Sequence, residues 1–62
     1  MQKVMSSSEA KVAASAIYEA LNITSAIEER GDGGSIVRIT VDSRKRTPSE
    51  RAFIRKVLEG VS

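Results

Sequence analysis

The chain has 62 residues, 40% of them hydrophobic, a formal net charge of +2, and neither Cys nor His. That length allows one small domain. The missing residue types exclude disulfides, zinc sites of the usual Cys/His kind, and a His general base.

No apolar run approaches the roughly 18 residues of a membrane span. The opening Met1–Ser8 stretch has no apolar core of a signal peptide. The expected location is therefore cytoplasmic, with no membrane partner and no cofactor. The charge is unevenly placed. Residues 1–34 carry three basic and five acidic side chains, whereas residues 35–62 carry seven basic and three acidic. A basic half in a small chain hints at a polyanionic partner.

Residues 1–5 are expected as a flexible N-terminus, and residues 6–61 as a single α-β-β-α domain. Ser6 and Glu9 have the spacing of a capping box, in which hydroxyl and carboxylate each meet the other's backbone N–H. Ala10, Ala13, Ala14, Ile17 and Leu21 then recur at helical spacing, with Lys11, Ser15, Tyr18 and Glu19 off the stripe. Asn22 is a suitable stop, since Asn tolerates the left-handed conformation found just past helix ends.

Ile23–Arg30 reads as a strand rather than a short helix, because Gly31-Asp32-Gly33-Gly34 separates it from Ile36–Val41, the one β-branched run. Closing a three-residue loop at Gly31–Gly33 pairs Arg30 with Gly34 and sets Ile27 opposite Val37. Ile23, Ser25, Ile27, Val37, Ile39 and Val41 then share one face. After a polar connector, Thr47-Pro48-Ser49-Glu50 combines an N-cap, a first-turn Pro and a capping-box Glu. Phe53, Ile54, Val57, Leu58 and Val61 form the stripe of the last helix, with Phe53 as the expected aromatic of the core.

The expected fold class is thus α+β. It is a helix, a two-stranded antiparallel hairpin and a helix, with both helices on one sheet face and the sheet edges open to dimerisation. In element order alone, a capped helix, the Arg30–Gly34 hairpin turn and a closing helix from Thr47, this resembles the lambda-phage head–tail joining protein W family. That resemblance implies an assembly or connector role and supplies no site residues. Leu21–Ile27 resembles the turn of a helix-turn-helix, but its second helix would end near Arg30, short for reading a groove.

For function, the chain reads as a non-enzymatic binding protein. Ser side chains are plentiful, yet no His stands ready to activate one as a nucleophile. Arg44, Lys45 and Arg46 lead into the last helix, Arg51, Arg55 and Lys56 continue along it, and Arg38 lies on the polar sheet face. These seven are the candidate contacts to DNA or RNA, since such a cluster neutralises phosphates. The plainer reading is a solvated face with local pairs such as Arg46–Glu50. The alternative function is a protein–protein or self-association module, drawn from the thin core and open edges.

Overall fold

The computed structural model describes residues 1–60, except for the side chain of Asp32. The chain runs β1 (Gln2–Ser6), α1 (Ser7–Leu21), β2 (Ala26–Gly31), β3 (Ile36–Thr40) and α2 (Pro48–Gly60), with a 3-10 turn at Asp32–Gly34 between β2 and β3. It is α+β, with two helices and a three-stranded antiparallel sheet of order β1-β3-β2. Val61, expected to close the α2 stripe, lies outside the described residues.

The first correction concerns residues 1–5. They are not a loose lead-in: Gln2 to Met5 belong to β1, which pairs with β3 from Gln2 opposite Thr40 to Ser6 opposite Ile36. Beyond the strand, the Met1 ammonium donates to the Val41 carbonyl at 2.7 Å and Val41 N–H donates to the Met1 carbonyl at 2.7 Å. The sheet therefore has three strands, not two, and the element order is not helix, hairpin, helix. The likeness to the head–tail joining family, which rested on that order, goes with it. The cause is the strength of Ile36–Thr40 as a template. A strand of β-branched residues offers two hydrogen-bonding edges, and β2 occupies only one of them.

The two helices begin and end where local chemistry directs. Ser6 Oγ accepts from Glu9 N–H at 3.3 Å and Glu9 Oε1 accepts from Ser6 N–H at 3.4 Å, closing the first capping box. Asn22 ends α1 in the left-handed conformation, φ 58° and ψ 35°. At α2, Thr47 Oγ1 accepts from Glu50 N–H at 3.2 Å and Glu50 Oε1 accepts from Thr47 N–H at 3.0 Å.

The hairpin register departs from expectation by two residues. Ile27 lies opposite Ile39 and Glu28 opposite Arg38, with a bulge between Glu29 and Gly31. A shift of two keeps every side chain on its face. It also brings Glu28 and Arg38 into an ion pair on the outer face. The connection is longer than a three-residue loop because Asp32–Gly34 takes a 3-10 turn, with Gly33 and Gly34 at φ 68° and 86°.

Side chains on one face of the sheet meet both helices in a single aliphatic core. It holds Met5, Val37, Ile39 and Val41 from the sheet side, Ala10, Ala13 and Ile17 from α1, Ile54 and Leu58 from α2, and Ile23 from the α1–β2 loop. The buried alanines let α1 approach its neighbours closely, and Phe53 packs only at the margin. The other face carries Val4, Ile36, Arg38 and Thr40 and has no helix over it. Among the described residues no helix is long and apolar enough to cross a membrane.

Candidate nucleic-acid interface

The seven predicted basic residues do not form one surface. Arg38 projects from the outer face of β3, opposite the side on which α2 packs, and is paired with Glu28. The structure thus separates Arg38 from the other six.

The connector after β3 holds two of its three cations in local pairs. Asp42 Oδ1 accepts from the Arg44 backbone N–H and from Nε, and Oδ2 accepts from Nη2, each at 3.1 Å. These bonds to Arg44 hold the Asp42 carboxyl down at about 2 and raise the Arg44 guanidinium. Both side chains are largely exposed, so the pair contributes little to stability. Arg46 closes a turn through its N–H to the Ser43 carbonyl at 3.2 Å. Its guanidinium stands 3.6 Å from Glu50 Oε2. Glu50 is lowered chiefly by the Thr47 backbone N–H, with Arg46 a smaller cause. Arg46 therefore serves the start of α2.

Lys45, Arg51, Arg55 and Lys56 are exposed and make no ion pair among the described residues. Arg51 and Arg55 are one turn apart and share a face of α2. Lys56, one position on, points about 100° further round the helix. Arg55 lines a concavity with Met1, Gln2, Lys3, Leu58 and Glu59. Met1 also borders a second concavity with Thr40, Val41, Asp42, Ser43 and Arg44. The start of β1 thus places Lys3 beside Arg55, with Arg44 on the other side of Met1.

Lys3 is the residue that the sequence alone does not point to, because residues 1–5 read as a flexible N-terminus. One signal was present. Met5 immediately precedes the N-cap and Ala10 sits at the fourth helical position, the spacing of a hydrophobic staple that fixes how the chain enters a helix. Both are buried.

This end of the molecule can hold phosphate oxygens by charge and hydrogen bonding, and offers no stacking platform. Tyr18, the one exposed aromatic, borders a different groove, between α1 and β2. Among the described residues there is no cluster of three metal-ligating side chains. No protein-family model, characterised protein or solved structure matches the chain, so the functional reading rests on its own residues.

Proposed function

We propose that this chain is a non-enzymatic binding module that contacts nucleic-acid phosphates through Lys3, Arg44, Lys45, Arg51, Arg55 and Lys56. The observation that carries this is that Lys3 and Arg55 line one concavity and Arg44 another, with Met1 bordering both, and that Arg51 lies one turn before Arg55 on the same helix face. Arg44 can exchange an exposed carboxylate partner for a phosphate at little cost. Arg46 and Arg38, already engaged within the fold, are outside the contact set. Contacts of this kind position a protein on the backbone without reading sequence.

The test is fluorescence anisotropy with a labelled duplex DNA and a labelled single-stranded RNA over a range of salt. Six phosphate contacts predict a slope of log K against log salt near −5 for duplex, or roughly 1,000–2,000-fold weaker binding for a fourfold rise in salt. Arg51→Ala and Arg55→Ala should each reduce the slope by about 1, and Arg38→Ala should leave it unchanged. No binding at low salt, where electrostatic attraction is strongest, refutes the reading.

A second reading, a protein–protein module, is favoured by one specific observation. The helices cover the β1 and β3 part of the sheet, and every residue of β2 is exposed.

A further inference from the structure

β2 is an edge strand, with a neighbour only in β3. Ile27 is on the core side of the sheet, opposite the fully buried Ile39, yet remains 45% exposed. It lines a groove between β2 and α1 together with Lys11, Ser15, Tyr18, Glu19 and Ser25. Tyr18 is 53% exposed, and the Ser25 hydroxyl is buried with no hydrogen-bond partner. The β1 edge differs, because its core-side apolar residue, Met5, is already covered and its other core-side residue is the charged Lys3.

We infer that a second copy of this chain docks against β2, edge to edge and antiparallel, with Ile27 on the two-fold axis. The two sheets join into one of six strands. This deepens the protein–protein reading and is independent of the phosphate contacts. The groove is self-complementary. Lys11, Ser15 and Glu19 are spaced by four along one face of α1, with the cation at one end and the carboxylate at the other. A two-fold axis at Ile27 reverses the groove, so each Lys11 meets the partner's Glu19. Neither residue has an ion pair among the described residues of the single chain.

The register follows from the charges on β2. Centring the axis on Glu28 or Glu29 sets that carboxylate directly opposite its own copy, which is unfavourable. Centring it on Ile27 sets Ile27 against Ile27 and Ala26 against Glu28. Ser25, just before β2, then lies level with Glu29. The charges that discourage promiscuous edge pairing thus disfavour the alignments centred on Glu28 and Glu29. The cationic end stays open, since α2 meets β1 at the opposite edge of the sheet from this groove.

Sedimentation equilibrium on the full chain tests this. The weight-average mass should rise from 6.7 kDa toward twice that value as concentration increases from about 1 µM to about 1 mM. Ile27→Glu should raise the dimer dissociation constant at least about tenfold by placing like charges opposite each other. Lys11→Glu and Glu19→Lys, both on the exposed surface of α1, should each weaken association about three- to tenfold. An equimolar mixture of those two variants should recover it, because each then meets its complement. Circular dichroism checks that each variant is folded, and the Lys11 and Glu19 pair decides the matter if Ile27→Glu is not. A monomer at every concentration overturns the inference. A dimer indifferent to all three substitutions overturns this interface while leaving the wider protein–protein reading in place.

Discussion

Truncating Met5 distinguishes an ordered first strand from a loose lead-in. Met5 faces the core opposite Val37 and is 8% exposed, whereas Val4, its neighbour, points to the open face and is 51% exposed. Removing a buried Met side chain costs about 2–5 kcal/mol. An edge strand can relax into part of the space, so Met5→Ala should cost about 2–3 kcal/mol. The whole domain is expected to hold about 3–9 kcal/mol at this length, so the melting temperature should fall by roughly 10–20 °C. Val4→Ala should cost under about 1 kcal/mol. Urea titrations followed by far-ultraviolet circular dichroism, at one fixed protein concentration so that self-association does not enter, measure both. Equal and negligible effects at the two positions would show that residues 1–5 do not pair with β3.

Two further outcomes bear on the hairpin and on acid sensitivity. Gly34 has φ +86°, and a Cβ there would stand 2.9 Å from a Glu29 carboxylate oxygen. Gly34→Ala should therefore cost about 1–3 kcal/mol, read from the same urea curves; a neutral result would contradict the turn geometry. Asp42, held near 2 against an ordinary 3.8 by Arg44, contributes stability that is complete above 3.8 and is lost as pH falls toward 2. Glu50 is lowered in the same sense. The wild-type urea midpoint should thus fall more steeply from about pH 4 to about pH 2 than that of Asp42→Asn, by a small margin because the pair is exposed; identical slopes would show that Asp42 makes no stabilising contact.

Both helices, their caps and the face of nearly every apolar residue were legible in the sequence, because these are decided within a few residues of chain. Ser6 with Glu9, Thr47 with Glu50, and Asn22 past α1 each act on backbone groups three or four positions away. The alternation of Val37, Ile39 and Val41 fixes their side of the sheet whatever they pair with. The cationic surface was legible as a composition and not as a place. Spacing along α2 joined Arg51 to Arg55, but could not show that Arg38 lies behind the sheet or that Lys3 lies beside Arg55.

What only the tertiary structure decided is which distant segments share hydrogen bonds. β1 meets β3 some thirty-five residues away in sequence, and Gln2–Ser6 carries too little alternation to announce a strand by itself. Its order comes from the edge of Ile36–Thr40 that β2 leaves vacant. The hairpin register likewise depended on a bulge and on the Glu28–Arg38 pair across two strands. The exposure of Ile27 depended on how far two helices reach across three strands. Local chemistry sets the elements of this chain, and long-range pairing sets which of their surfaces remain available to a partner.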